Sequence, residues 1–148
     1  YCAEPPEDVS HAWDITAAIL REFKAKVEAD GRMFAVVMIP GAEQVHRDYY
    51  EAVAERAGEA GAAFDQDFPE RKVAELCREA DIAFVSPVSD YRAAAPSGLH
   101  SAEDEWLFQL GSGHTNAEGN LLTAKRVHDF LTQGDASVAG APFISRLR

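Results

Sequence analysis

Hydrophobic positions recur along this chain with two different spacings, and the spacings divide it into elements. Trp13, Thr16, Ala17, Leu20, Phe23 and Val27 return every three or four residues, with Arg21, Glu22, Lys24, Lys26 and Glu28 between them. That rhythm predicts a helix from Trp13 to Asp30 with one buried face, and Gly31 supplies its stop. Met33-Phe34-Ala35-Val36-Val37-Met38-Ile39 then runs apolar without a break to Pro40-Gly41. An unbroken run of strand length predicts a strand buried on both faces, as in a parallel sheet. Val45, Tyr49, Ala52, Val53 and Ala57 resume helical spacing over Glu43–Ala60, where Gly58 and Gly61 weaken the end. Phe64 to Phe68 is a connector whose Asp65-Gln66-Asp67 suits a turn or a helix cap. Pro69 opens a third helix that runs to Ala80, striped by Val73, Leu76, Cys77 and Ala80. Ile82-Ala83-Phe84-Val85-Ser86-Pro87-Val88 predicts a second buried strand. Residues 89–112 carry only a short helical turn at Ala102–Leu107 and read as a long loop, a place where function often sits. A last helix is predicted from Asn116 to Gln133, with Leu121, Leu122, Ala124, Val127, Phe130 and Leu131 on its apolar side. Residues 1–12 read as coil, and residues 134–148, rich in Gly, Ala and Ser, as a loosely ordered tail.

The order helix–strand–helix–helix–strand–helix implies an α/β layer built on parallel strands. Two strands are too few for so many amphipathic helices, because apolar faces and a strand edge stay uncovered. The expectation is that further strands precede Tyr1 in the natural protein or come from a partner chain. Self-association through the exposed strand edge is expected of the piece in hand. Its opening, Tyr1-Cys2-Ala3-Glu4-Pro5-Pro6, has no initiator Met and no signal-peptide pattern, and reads as a processed or truncated start.

At 148 residues, 47% hydrophobic and 26% charged, the chain has the makeup of one soluble globular domain. A formal net charge of −11 argues against nucleic acid or an anionic membrane as partner, because both select basic surfaces. No apolar run approaches the roughly 20 residues of a membrane span. Of the two cysteines, Cys77 lies on the stripe of the third helix and reads as a small buried residue. Cys2 lies in the coil, and the spacing supports no bridge between them.

One stretch joins an ionisable side chain to a recognisable local structure: Gly113-His114-Thr115-Asn116-Ala117-Glu118-Gly119-Asn120. Thr115 and Glu118 have capping-box spacing, which leaves His114 in the loop before the positive end of the last helix. That end disfavours a second positive charge, so a neutral imidazole able to act as a general base is expected. The alternative is a loop His that only packs or caps. The other histidines are scattered. His11 lies in the coil, and His128 on the polar face of the last helix. His46 stands at i, i+3 from Glu43, where a simple side-chain pair is expected. His100 lies near Glu103 and Asp104, without the spacing of a zinc motif. Neither a metal nor a cofactor is expected. Gly111-Ser112-Gly113 can hold an anion ahead of a helix, but no phosphate-binding Gly loop is present.

The Gly113-to-Gly119 stretch resembles the last motif of the SGNH (GDSL-type) hydrolase family of esterases, lipases and acyltransferases. There a catalytic His, followed by Asn or Pro and then Gly, opens the terminal helix. Trp13-Asp14-Ile15-Thr16, and the strand ending Val37-Met38-Ile39-Pro40, resemble the family's penultimate-strand region. Ile82-Ala83-Phe84-Val85 resembles its last strand, which leads to the catalytic loop. The resemblance covers residues 13–133, and implies the C-terminal part of a flavodoxin-like, three-layer α/β fold. Two parallel strands with flanking helices are present, and the N-terminal strands are missing. It further implies a serine ester hydrolase in which His114 is the general base, acting on a small-molecule, lipid or carbohydrate ester. Relatives of this kind are often exported.

Three departures stand against the pattern. The family's Asp, two or three residues before the His, is replaced by Gly111 and Ser112. Asp104 or Glu105 is then the substitute acid, or a backbone carbonyl holds the ring. The family's Gly-Asp-Ser nucleophile motif and its oxyanion-hole Gly and Asn motifs are absent, and no Ser sits in a Gly-x-Ser-x-Gly elbow. Acyl transfer needs a nucleophile, a base and oxyanion donors, so this chain by itself is expected to be inactive. The alternative function is a non-catalytic α/β binding or accessory domain that lost the catalytic Asp.

Overall fold

Helix α1 runs from Glu7 to Ala29 in the computed structural model, which describes residues 6–58, 64–95, 107–109 and 113–133. It starts at Glu7 rather than Trp13, so residues 7–12 are helical and not coil. Glu7 and Asp8 explain the earlier start, since they set negative charge against the positive helix end. Strands β1 (Ala35–Val37) and β2 (Ala83–Val85) pair in parallel, with Val36 opposite Phe84 and Val37 opposite Val85. The Met38 N–H extends the ladder to the Val85 carbonyl at 3.0 Å. The described residues therefore form a mixed α/β fold, mostly helical, around two parallel strands.

Among the described residues, three helices lie between the strands: α2 (Ala42–Val45), α3 (Arg47–Arg56) and α4 (Phe68–Glu79). The single helix expected over Glu43–Ala60 is thus two, broken at His46, whose backbone is extended at φ −91° and ψ 111°. No Gly or Pro marks the break. His46 instead turns its ring into the core, edge-on to Phe108 with centroids 5.8 Å apart. Helix α4 runs alongside α1 in the same direction. Trp13 meets Phe68 edge-on at the start of α4. At its far end Lys24 Nζ donates to the Ala80 and Asp81 carbonyls at 2.9 and 2.8 Å. A cation placed there satisfies carbonyls that the helix leaves unbonded and faces the negative helix end.

Helix α5 (Val88–Ala94) occupies the start of the stretch expected to be loop, and α6 (Ala117–Gln133) closes the described chain. Val88 and Tyr91 are the inward residues of α5 and are fully buried. Two apolar positions three apart are too few to display a period, which is why the stretch reads as loop. Most of the turn expected at Ala102–Leu107 lies outside the described residues, as does the tail at 134–148.

The core cluster joins Ala42 and Val45 of α2, Tyr91 of α5, and Leu107 and Phe108, with Leu122 of α6 packed against it. Burying a Phe or Leu side chain stabilises by roughly 1.5–3 kcal/mol. Helix α2 leaves the C-terminal end of β1 and α5 leaves that of β2, so this core lies beyond the C-terminal ends of both strands. The other side of the molecule is less covered. Val37 on β1, Ile39 just after it, and Ile15, Ile19 and Phe23 on α1 are exposed, whereas Val85 on β2 is buried. Among the described residues, no helix is long and apolar enough to cross a membrane.

The Lys24 cap is testable. Hydrogen bonds to a charged group contribute about 1.5–3 kcal/mol, and Met in its place keeps the apolar stem. Lys24→Met should therefore lower the unfolding free energy in urea by about 1–2 kcal/mol. An unchanged midpoint and slope would show that the contact is inert.

Candidate functional site

Two backbone hydrogen bonds fold the segment around His114 into a short hairpin. Phe108 and Thr115 form an antiparallel bridge. The Gln109 N–H donates to the His114 carbonyl at 2.7 Å, and the Asn116 N–H donates to the Leu107 carbonyl at 3.0 Å. Gly113 enters His114 at φ +68°, a left-handed conformation that glycine adopts without strain. Phe108 points into the core, while Gln109 and His114 are exposed. The hairpin thus fixes the His114 backbone and leaves its imidazole at the surface.

The cap of α6 differs from the one expected. Asn116 Oδ1 accepts the Gly119 N–H at 3.0 Å, so Asn116 caps the helix in place of Thr115. Thr115 is held in the bridge to Phe108, and its hydroxyl donates to Asn120 Oδ1 at 2.7 Å. Asn ranks at least as high as Thr at this position, so the exchange costs nothing locally.

Tyr91 braces the hairpin from below. Its hydroxyl donates to the Gly119 carbonyl at 2.5 Å and lies 2.9 Å from Thr123 Oγ1. Its ring packs 5.8 Å from that of Phe108. Burial pushes the phenol pKa up, and the hydrogen bond with Thr123 opposes this. Helix and hairpin approach so closely that a Cβ at Gly119 would stand 2.5 Å from the Leu107 carbonyl oxygen. Glycine is required there by contact, which explains its presence in the first turn of a helix.

A polar layer flanks the same end of the strands. Arg92 of α5 donates to the Gln44 carbonyl at 2.8 Å and to Asp67 Oδ1 at 2.6 Å. Gln66 donates to the Glu43 carbonyl, and Asp65 accepts both the Asp67 N–H and an Arg71 side-chain N–H. Asp65-Gln66-Asp67 is therefore a turn, and the Arg71 hydrogen bond holds the Asp65 carboxyl below its ordinary pKa. Ser86, just past β2, is hydrogen-bonded to Glu70 and to the Val88 N–H.

The other candidate residues are dispersed. His11 and His128 are exposed on α1 and α6, and His128 Nδ1 lies 3.4 Å from Asp129 Oδ1. His46 packs against Phe108, and burial lowers its pKa against the opposing charge of Asp48. Cys77 is a buried free thiol, pushed up to about 11 by burial. Asp104, Glu105, His100, Gly111 and Ser112 lie outside the described residues. Among the described residues, no group of three or more His, Cys, Asp or Glu is placed to hold a metal ion. Tyr91 was not legible as part of this site, and Asn116 was legible as a motif residue but not as the helix cap. The available signals were Pro87 followed by Val88 and Tyr91 at i, i+3, and an Asn directly ahead of Ala117. No family model matches the chain, and no curated protein or solved structure matches it.

The buried His46 gives the fold a pH dependence of known sign. Its folded pKa lies below the ordinary 6.5. Above that value both states are neutral and the shift has no effect. Below it the unfolded chain takes up a proton that the folded protein resists, so stability falls as the pH drops. His46→Gln should flatten the decline in unfolding free energy between about pH 7 and pH 5. Parallel slopes for the two proteins would rule out a contribution from His46.

Proposed function

We propose that this chain is the C-terminal part of an SGNH-type serine ester hydrolase with a flavodoxin-like fold, and that His114 is its general base. The observation that carries the reading is the position of His114. It is an exposed imidazole on a braced hairpin, beyond the C-terminal ends of two parallel strands. Open parallel sheets bind their ligands at that end. The motif residues Gly113, His114, Asn116 and Gly119 each have a local role there: the left-handed turn, the exposed ring, the cap and the close approach.

On this reading the nucleophilic Ser and the oxyanion donors come from segments of the protein outside this chain. His114 takes the proton of that Ser as its oxygen attacks the ester carbonyl. The tetrahedral oxyanion collapses, the bond to the alkoxy oxygen breaks, and His114 returns the proton to the departing alcohol. Water then attacks the acyl-enzyme, losing its proton to His114; the bond from the acyl carbon to the Ser oxygen breaks, His114 returns the proton to that oxygen, and the carboxylic acid leaves. Asp104 is the proposed acid that orients the imidazole. The further strands add on the side of β1, where Val37 and Ile39 are exposed.

A second reading, a binding or accessory domain without catalysis, is favoured by one observation: Ser112 stands where the family carries its Asp. Hydrolysis of p-nitrophenyl acetate by the full-length protein separates the two. General-base catalysis is worth about 10²–10⁴-fold, so His114→Ala should lower kcat/KM by at least about 10²-fold. Equal rates would remove His114 from catalysis. The chain by itself should also associate as its concentration rises, and Ile39→Lys should weaken that association in light scattering. A monomer at every concentration would contradict the missing-strand reading.

A further inference from the structure

We infer that the Tyr91 hydroxyl is a positioning group for His114, an assignment that rests on reading His114 as the general base. Two segments flank His114: Leu107–Gln109 on one side and the first turns of α6 on the other. Tyr91 touches both, through its ring against Phe108 and its hydroxyl on Gly119 and Thr123. Between them Asn116 is tied to both as well, by its N–H to the Leu107 carbonyl and by Oδ1 to the Gly119 N–H. The His114 carbonyl is held by the Gln109 N–H. A slide of α6 against Phe108 must therefore carry the His114 backbone with it.

The phenol oxygen is the one part of Tyr91 that packing alone does not require. A Phe at this position would fill the same space between Phe108 and α6. The buried hydroxyl adds little net stability, because its hydrogen bonds in the fold replace hydrogen bonds to water. What it adds is direction: a short bond aimed at one carbonyl of α6 sets the rotation and depth of the helix against the hairpin. A displacement of about 1 Å at a catalytic group costs roughly 10²-fold in rate, so such a bond matters more to a base than to the fold. Loss of the hydroxyl is also tolerable. Thr123 stands four residues after Gly119, and its freed hydroxyl can turn back to the Gly119 carbonyl.

The test compares Tyr91→Phe with the parent in the full-length protein by two independent readouts. In NMR the imidazole resonances of His114 should shift, while those of His11 and His128 stay in place and the unfolding midpoint stays close to the parent's. In p-nitrophenyl acetate hydrolysis, kcat should fall about 10- to 10²-fold with KM unchanged. Unmoved His114 resonances overturn the assignment, as does a loss of activity that only follows loss of folded protein. If Tyr91→Phe does not fold, Thr123→Val serves instead, with a smaller shift of His114 expected and no shift overturning the assignment. Failure of the hydrolase reading is distinguishable: His114→Ala would then hydrolyse at the parent rate, while the NMR readout still reports whether Tyr91 places the imidazole.

Discussion

A wholly buried phenol must find an acceptor for its hydroxyl, and Tyr91 finds it in the backbone of α6. That contact organises the end of the molecule where His114 sits. It requires α5 to begin directly after β2, so that Tyr91 faces inward. It requires a glycine at position 119, because helix, hairpin carbonyl and phenol meet there without room for a side chain. It also sets Phe108 against both Tyr91 and His46, and Phe108 is the inward residue of the hairpin that carries His114. Three elements far apart in the chain, α2, α5 and α6, are thus tied through one aromatic cluster.

The rest of the fold supports this end unequally. Arg92 links α5 to the end of α2 and to the connector ahead of α4, and Arg126 of α6 lies 3.8 Å from Asp90 of α5. Lys24 closes the far end of α4. The strand pair itself is only three residues long on each side. Its cover is uneven: β2 packs against α4 and α6 and buries Val85, while Val37 of β1 and apolar side chains of α1 face outward. A short sheet with one bare side is not what an apolar run from Met33 to Ile39 is suited to.

Elements with a long period were legible in the sequence. Helices α1, α4 and α6 and the apolar runs containing β1 and β2 stand where they were expected, although Phe23, Leu121 and Leu131 of the expected inward faces are exposed. What stayed hidden was decided by tertiary contact or by too few residues. The break at His46 comes from a ring seeking the core, and its neighbours give no warning. Helix α5 offers only Val88 and Tyr91 as inward residues. The shift of the cap from Thr115 to Asn116 follows from the bridge to Phe108, a partner that is remote from the helix pattern. The early start of α1 was visible in Glu7 and Asp8 but was masked by the neighbouring prolines. For the site, the His114 motif could be read directly, whereas its support by Tyr91 could not.

On the proposed hydrolase reading, His114 serves a nucleophilic Ser carried outside this chain. The most direct measurement treats the full-length protein with a fluorophosphonate and locates the adduct by mass spectrometry. That reading requires one phosphonylated Ser, in a segment preceding Tyr1, with labelling that slows when His114 is replaced by Ala. Absence of any adduct, or an adduct on a Ser within Tyr1–Arg148, would contradict it.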